Sequence, residues 1–275
     1  MMIHAASRAA IAQLRERLNA VLPGLTDASA HQQLAEQLYS AAALLGSQAR
    51  LRRTLADAAT DASGRAELAR QLFSGKLDGS TVSLIAFAVE QRWSSPWDLA
   101  DSLEIMADDA LLSAAEQRGE LDDVEDELFR FERILGGAGE LIAALDEQGV
   151  PGPRRQALLA AVLGDKVNPI TAQLLNHAVG SGRKRSLLLA IDDLLEVSSA
   201  RRQRSVARVL SAIELTAAQS ERLAAGLSRL YGRPISVRSA VDQSVRGGLA
   251  VRVGDELIDG TVATRLAQAR TAFAG

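Results

Sequence analysis

Apolar residues recur at helical spacing through most of the chain. The first stripe spans Ala5 to Leu22 and ends at Pro23-Gly24, and its apolar members are Ala10, Ile11, Leu14, Leu18 and Val21. This spacing predicts an amphipathic helix that the proline and glycine terminate. A longer helix is predicted from about Pro96 to Arg118, because Ser95 can cap it and proline is favoured at the first helical position.

The pattern changes after Ser199, where alternating apolar positions replace the helical stripes. Strands are predicted at Ser205 to Ile213, at Ile235 to Val241, at Leu249 to Val253 and at Leu257-Ile258. Thr216-Ala-Ala-Gln219 is a capping box that opens a helix reaching about Tyr231. Gly254-Asp255 predicts a tight turn between the last two strands, and a final helix is predicted from about Thr261 to Phe273.

Two segments of the helical part match when the chain is shifted by 90 residues without a gap. The matched pairs include Leu38 and Leu128, Leu45 and Leu135, Gly46 and Gly136, Leu68 and Leu158, Lys76 and Lys166, Thr81 and Thr171, and Leu84 and Leu174. A chain rich in Ala and Leu produces some such matches by chance. The unbroken register over about fifty residues favours duplication of one helical unit.

These elements predict a mainly α protein with three parts. Residues 1–105 and 106–200 form two helical bundles of similar plan, bridged by the helix from Pro96, and residues 201–275 form a small α+β domain. Composition agrees, because 47% of residues are hydrophobic but only 3% are aromatic. Ala and Leu favour helices, whereas a β-sandwich needs more Val, Ile, Tyr and Phe.

Composition also narrows the class of protein. Cysteine is absent, and His4, His31 and His177 lie far apart without metal-ligand spacing, so no metal site is expected. No apolar run approaches the roughly 18 residues that span a bilayer, and no signal peptide is recognisable. We therefore expect an intracellular protein that is soluble by itself.

Charge is distributed unevenly, although the net charge is only −3. Ten acidic residues lie between Glu104 and Glu127 against the single basic residue Arg118, and the segment from Arg183 to Arg208 is basic. These runs are either solvated helix faces or surfaces that dock complementary partners. Nucleic acid is not an expected partner, because the basic segment has no interleaved aromatic residues and the chain is acidic overall.

Catalytic motifs are missing from the sequence. There is no phosphate-binding loop, and the glycine- and arginine-containing segment from Gly180 to Ser186 lies between two helices rather than after a strand. No serine sits in Gly-x-Ser-x-Gly. Adjacent carboxylates such as Asp108-Asp109 point about 100° apart on a helix and do not converge on a substrate. The sequence therefore predicts a non-enzymatic protein without a cofactor.

The tail from Arg246 to Val262 resembles the C-terminal signature of the delta subunit of F-type ATP synthases, the family of the oligomycin sensitivity-conferring protein. The residues that match this signature are Asp242, Gly247, Gly248, Arg252, Gly254, Asp259 and Gly260. Its glycines serve turns and close packing, shape a surface for a partner helix, or do both.

The resemblance extends upstream over about residues 106–275. The segment from Ala110 to Leu128 is similar to the start of the family's helical domain, although Met106-Ala-Asp-Asp-Ala110 replaces its usual opening. Pro169 to Val179 resembles the fifth helix of that domain and Leu187 to Arg202 the sixth. Residues 1–105 are additional to the common short form of the family. A long form of this kind resembles that of high-GC Gram-positive bacteria.

The resemblance implies a stator subunit with no catalytic role. Its helical domain is expected to bind the N-terminal helices of the alpha subunits, and its C-terminal domain is expected to bind the b-subunit stalk. The protein is then expected at the cytoplasmic face of the membrane, with which it associates only through the complex. The residues expected at the alpha-binding groove are Ala110, Leu111, Ala114, Ile170, Leu174 and His177. The alternative is a helical-repeat adaptor of a regulatory or signalling complex. The partner of residues 1–105 stays open.

Overall fold

The computed structural model describes residues 5–264 apart from 148, 181–185, 205, 233–234, 243–244, 246, 254–255 and 263. It confirms a mainly α fold with a small α+β part near the C-terminus. The chain forms two compact units, Met1–Leu194 and Leu195–Gly275. The division of the helical part into bundles at 1–105 and 106–200 stays a prediction. The described residues include no helix that is both long and apolar enough to cross a membrane.

Within the described ranges, eleven helices precede the sheet. They are α1 (Ala5–Val21), α2 (Ala28–Ser47), α3 (Ala49–Ala56), α4 (Ala62–Phe73), α5 (Gly79–Glu90), α6 (Pro96–Arg118), α7 (Leu121–Gly137), α8 (Gly139–Asp146), α9 (Gly152–Leu163), α10 (Pro169–Gly180) and α11 (Leu187–Arg204), with a 3₁₀ turn at Leu22–Gly24 after α1. The predicted end of α1 and both ends of α6 are confirmed. The Ser95 hydroxyl accepts a hydrogen bond from the Trp97 N–H at 3.2 Å, and Gly119 ends α6 with φ of 72°.

α6 is the central helix of the first unit. Fifteen of its 23 residues are buried, including polar ones. Asp98 accepts a hydrogen bond from the Ser7 hydroxyl at 2.6 Å, and Asp109 pairs with Arg15 at 3.0 Å. A helix that is buried nearly all round has neighbours on every side. The acidic run that begins at Glu104 is therefore not one solvated face, because Asp109 is fully buried whereas Asp122 is exposed.

The 90-residue periodicity extends to the helix boundaries. α3 and α8, α4 and α9, and α5 and α10 each begin and end 90 residues apart. We call α1–α5 the first repeat and α7–α10, which contain the matched counterparts, the second repeat. α6 packs against α1, α2 and α5 of the first repeat and also against α7 and α10 of the second. The two repeats therefore share α6.

A polar clamp is repeated in the same register. In the first repeat, the Gln37 side-chain oxygen accepts hydrogen bonds from the Asp78 N–H at 3.0 Å and the Thr81 hydroxyl at 2.6 Å. In the second repeat, the Glu127 carboxylate accepts them from the Asn168 N–H at 2.8 Å and the Thr171 hydroxyl at 2.6 Å. Each residue of one clamp lies 90 positions from its counterpart. Equivalent bonds in equivalent places favour duplication over chance similarity.

The described part of the second unit contains a four-stranded sheet of β1 (Val206–Ser211), β2 (Ser236–Val241), β3 (Leu249–Val253) and β4 (Glu256–Asp259), in the order β2-β1-β3-β4. β1 runs parallel to β2 and antiparallel to β3, and β3 is antiparallel to β4. Helix α12 (Ala217–Tyr231) connects β1 to β2 and packs on one face of the sheet. The core of this unit contains Ala207, Val209, Leu227, Ile235, Val251 and Val253.

Most predicted elements of this unit are confirmed. The Thr216 capping box is present with both of its hydrogen bonds, and Gly232 ends α12 with φ of 64°. β1 ends two residues earlier than predicted, because the Ser211 hydroxyl donates to the Ile213 carbonyl at 2.6 Å and the chain turns there. The predicted turn at Gly254-Asp255 and nearly all of the predicted helix from Thr261 to Phe273 lie outside the described residues.

Candidate partner-binding surfaces

Helix α2 runs antiparallel along α6. The Gln32 side chain, near the start of α2, accepts a hydrogen bond from Arg118 at the end of α6. Farther along, the Tyr39 hydroxyl donates to the Asp108 carboxylate. The α2 side chains Leu34, Ala35, Leu38 and Leu45 are buried. α2 is thus held to α6 by apolar burial with polar contacts along its length.

The same side chains of α2 also reach α10. Gln32 donates to the Gln173 side-chain oxygen at 3.2 Å, and the His177 ring nitrogen lies 3.5 Å from the Glu36 carboxylate. The Tyr39 and His177 rings stack with centroids 3.5 Å apart and planes 9° apart. Gln32, Glu36 and Tyr39 lie on one stripe of α2. Because Gln32 and Tyr39 each touch both α6 and α10, α2 covers the seam between these two helices.

The six residues predicted at the alpha-binding groove lie on or beside this seam, on α6 and α10. Five of them, Ala110, Leu111, Ala114, Ile170 and Leu174, have no exposed surface. His177 is the exception, with 27% of its side chain exposed beside Tyr39. The structure therefore brings the predicted residues into one region, but its apolar members are in the core of the chain. A partner could touch them only if the chain opened.

Burial shifts two pKa values at the seam in opposite directions. Burial raises the pKa of the Tyr39 hydroxyl well above its ordinary value, and the negative charge of Asp108 raises it further. Burial lowers the pKa of the His177 imidazole, and the nearby Glu36 carboxylate opposes that change. Both side chains are consequently neutral near pH 7. Their stacked contact does not depend on an ion pair in that range.

Five of the C-terminal signature residues lie at one end of the sheet in the second unit, and they are Asp242, Gly247, Gly248, Asp259 and Gly260. Gly248 has φ of 80°, and a Cβ atom there would stand 2.4 Å from the Gly260 carbonyl oxygen and 2.9 Å from the Thr261 Cα. The Gly260 N–H donates to the Leu249 carbonyl at 2.9 Å, and the Val262 N–H donates to the Gly247 carbonyl at 3.0 Å. Close approach of two backbone segments therefore accounts for these glycines.

The two acidic signature residues make backbone and capping contacts. The Asp242 N–H donates to the Ser211 carbonyl at 2.9 Å. The Asp259 carboxylate accepts from the Thr264 hydroxyl at 2.7 Å and from the Thr261 N–H at 2.9 Å, and these bonds hold the pKa of Asp259 below its ordinary value. Arg252 is exposed on β3, and Gly254 lies outside the described residues.

A groove lies beside this glycine cluster. It runs between the end of β1 and the first turns of α12, and it is lined by Ser211, Ala212, Ile213, Leu215, Gln219, Arg222, Leu223, Gly247, Gly248 and Leu249. Ile213 is 73% exposed at its edge. Among the described residues no group of three His, Cys, Asp or Glu side chains could hold a metal ion. The lining is mainly apolar, which suits the apolar side of a polypeptide.

Comparison with known proteins shows which family has sequences similar to this chain. The family model described as ATP synthase delta (OSCP) subunit matches residues 108–273. A protein named ATP synthase subunit delta from Streptomyces griseus is 44% identical over 273 residues, which cover 99% of this chain and 100% of that protein. The protein of the same name from Nocardia farcinica is 40% identical over 272 residues, 99% of this chain and 100% of its own. These relatives therefore include the additional N-terminal residues.

A structural similarity is much weaker. One chain of the cryo-EM structure of the Toxoplasma gondii mitochondrial ATP synthase hexamer aligns with 61% of this chain and 95% of its own length, at 18% sequence identity and a TM-score of 0.30. These values are too low to bear on the arrangement of the helices.

Proposed function

The chain belongs to the ATP synthase delta (OSCP) subunit family, and we propose that it is the non-catalytic subunit that links the catalytic head of the enzyme to the b-subunit stalk. The full-length match to proteins named ATP synthase subunit delta, with 44% identity to one of them, is the observation that carries this proposal. In this position the protein would keep the head from turning with the rotor and so couple proton flow to ATP synthesis. It would lie at the cytoplasmic face of the membrane through the complex.

Stiffness of the helical unit supports this role. A stator has to resist load, and a well-packed interior with satisfied polar groups deforms little. The buried guanidinium of Arg65 donates to the carbonyls of Asp57 at 2.7 Å and Val89 at 3.1 Å. Such bonds tie loops and helix ends to the helices around them.

The catalytic head is the proposed partner of residues 106–200, through the N-terminal helices of the alpha subunits. Binding at Ala110, Leu111, Ala114, Ile170, Leu174 and His177, as the sequence predicts, requires α2 to leave the seam between α6 and α10. The bridging contacts of Gln32 and Tyr39 oppose that movement. Whether α2 moves therefore decides where an alpha-subunit helix can bind.

A covalent cross-link across the seam tests this point directly. The chain has no cysteine, so the double variant Gln32→Cys/Gln173→Cys contains one possible intramolecular pair. Because the two glutamine side chains meet at their tips, a short bismaleimide reagent rather than a disulfide would join the two thiols. A peptide of the organism's own alpha-subunit N-terminus would be titrated by calorimetry against the variant before and after cross-linking.

If the peptide binds at the predicted residues, the cross-linked form should lose affinity for it. Equal affinity of the two forms would place the alpha contact on another surface. Gln37→Cys/Thr81→Cys, a pair within the first repeat treated with the same reagent, is the matched control.

The b-subunit stalk is the proposed partner of residues 201–275. The groove beside Gly247-Gly248 supports this assignment, because its wall carries Leu215 and Leu223 and its edge carries the exposed Ile213. An amphipathic helix can bury its apolar side in such a groove. Two separated contacts, one on the head and one on the stalk, would also strengthen each other through the high effective concentration that follows the first binding event.

Reconstitution tests the function as a whole. Membranes whose ATP synthase has been stripped of its delta subunit would be supplied with the purified chain, and ATP synthesis driven by a proton gradient would be measured. The proposal predicts that the chain restores synthesis and that Ile213→Asp, which places a charge on the edge of the groove, restores less. A well-folded chain that binds neither the head nor the stalk would instead favour the adaptor interpretation.

A further inference from the structure

Three arginines stand side by side across the sheet of the second unit. In the strand register, Arg208 of β1 is paired with Arg238 of β2 on one side and with Arg252 of β3 on the other. Residues paired in register point to the same face of a sheet. The core-facing positions of these strands are the neighbours Ala207, Val209, Val251 and Val253, so the arginines lie on the face opposite α12.

This arginine row (Arg208, Arg238 and Arg252) is exposed, and among the described residues the structure shows no hydrogen bond or ion pair for its members. Other arginines of the same unit are used differently, because Arg222 and Arg229 each donate to a carbonyl of their own helix, at 3.2 and 3.3 Å. Like charges placed directly opposite one another destabilise a sheet. The row therefore carries an unfavourable repulsion that no contact in the described part of this unit offsets.

Apolar side chains adjoin the row on the same face. Leu257 of β4 is paired with Arg252 and is 55% exposed, and Leu210, two residues beyond Arg208 on β1, is 40% exposed. No aromatic residue occupies this face in the four described strands. The surface thus combines a line of positive charge with scattered apolar contacts, and it lacks the stacking side chains that single-stranded nucleic acid requires.

The spacing of the row fits a helix. Neighbouring strands lie about 4.8 Å apart, so the backbones of the outer two arginines are separated by about 10 Å. Two acidic residues seven positions apart on a helix are also separated by about 10 Å along its axis. We propose that the arginine row is a docking site for an acidic amphipathic helix of a partner polypeptide, with carboxylates pairing with the arginines and apolar residues covering Leu210 and Leu257. It rests on the proposed function in one respect, that this helix belongs to another subunit of the assembly.

Paired synthetic peptides test the chemistry of the site without assuming the assembly. The acidic probe is a 21-residue helical peptide with a leucine stripe and glutamates at positions i and i+7, and its twin carries lysines in place of the glutamates. Binding to the full chain would be measured by fluorescence anisotropy. We expect the acidic peptide to bind, the lysine twin to bind much more weakly, and the affinity for the acidic peptide to fall as salt is raised.

Two matched variants identify the surface. Arg208→Gln/Arg252→Gln removes two charges from the row, and Arg202→Gln/Arg229→Gln removes two from the helices α11 and α12 of the same unit, outside the groove. The row variant should lose about tenfold or more in affinity for the acidic peptide, whereas the helix variant should stay within about twofold. Because removal of the row relieves repulsion, thermal unfolding should show the row variant to be at least as stable as the parent. The single variant Arg238→Gln, on the edge strand, gives the same test with less change to the sheet.

Three results would overturn the proposal. Equal losses in the two double variants would mean that net charge matters and the row does not. Equal binding of the acidic peptide and its lysine twin would remove the electrostatic basis. Row-dependent binding to phosphatidylglycerol vesicles without any binding of the acidic peptide would assign the surface to a membrane. Failure of the parent chain to restore ATP synthesis in reconstitution, together with row-dependent binding of the acidic peptide, would count against the proposed function. It would not count against the arginine row as a site for an acidic helix.

Discussion

Replacing Gly248 with alanine should destabilise the second unit more than the same replacement at any other described glycine of that unit. Two separate costs act at this position. Gly248 has φ of 80°, and the added Cβ would stand 2.4 Å from the Gly260 carbonyl oxygen. A left-handed backbone costs an L-residue with a side chain about 1–2 kcal/mol. Since ordinary contact begins near 3.4 Å, the backbones on the two sides would also have to separate by about 1 Å.

The steric cost is comparable to overpacking of a core, which is about 1–3 kcal/mol. The total of about 2–5 kcal/mol is a large part of the stability of a small domain. Gly226 offers a matched control in the same unit. It lies inside α12, its φ is not positive, and an added methyl carbon would meet no atom within 4 Å other than the adjacent backbone of its own helix. Gly226→Ala should therefore stabilise the unit, by about 0.5–1 kcal/mol.

Hydrogen exchange followed by mass spectrometry separates the two units within the full chain. Peptides from β3 and β4 should exchange at least about thirtyfold faster in Gly248→Ala, and somewhat more slowly than the parent in Gly226→Ala. Peptides from α6 serve as an internal reference and should not change. Unaltered exchange in β3 and β4 of Gly248→Ala would show that the backbone yields at little cost, and it would refute the close approach as the reason for glycine.

Three further predictions concern the first unit. Thr171→Val removes one hydrogen bond from the Glu127 carboxylate and should lower the free energy of unfolding by about 1–3 kcal/mol. Urea denaturation followed by tryptophan fluorescence measures this change. An unchanged midpoint would contradict a stabilising role for the polar clamp. His177→Phe should flatten the pH dependence of stability. Burial holds the folded pKa of His177 below its ordinary value. The parent therefore loses stability as the pH falls below about 6.5, because the unfolded chain takes up a proton there. Equal slopes of stability against pH for parent and variant would argue against a lowered pKa of His177. In a Tyr231→Phe background, Tyr39 is the one remaining tyrosine. Its absorbance change at alkaline pH should occur above the ordinary tyrosine pKa of about 10. Titration near pH 10 would mean that the Tyr39 hydroxyl is solvated.

Local signals in the sequence located most of the elements. The boundaries of α6 are confirmed because a capping serine before a proline opens it and Gly119 ends it. The same holds for α12, where Thr216 and Gln219 complete a capping box. Alternation found the strands because one face of the sheet packs on α12 and the other is exposed. These features depend on neighbours within a few residues, which a sequence displays directly.

Contacts between distant segments could not be obtained in this way. Gln32 and Gln173 are 141 residues apart, and neither stands out from the other polar positions of its helix. The sequence therefore grouped the apolar residues of α6 and α10 as a possible groove without showing that α2 covers them. The arginine row was hidden for a related reason. Arg252 lies in the tail signature, but its alignment with Arg208 depends on strand register, which follows from the completed sheet.

The sharing of α6 by both repeats has a mechanical consequence. Two bundles joined by a linker behave as two stiff bodies in series with a soft hinge, and the hinge takes up most of any deformation. Here the 23 residues of α6 form a continuous rod about 34 Å long that is packed into both repeats, so no hinge separates them within the described helices. Torque applied to one repeat would pass to the other along a ladder of axial hydrogen bonds. If the chain acts as a stator, the elastic compliance that smooths its load has to reside outside Met1–Leu194.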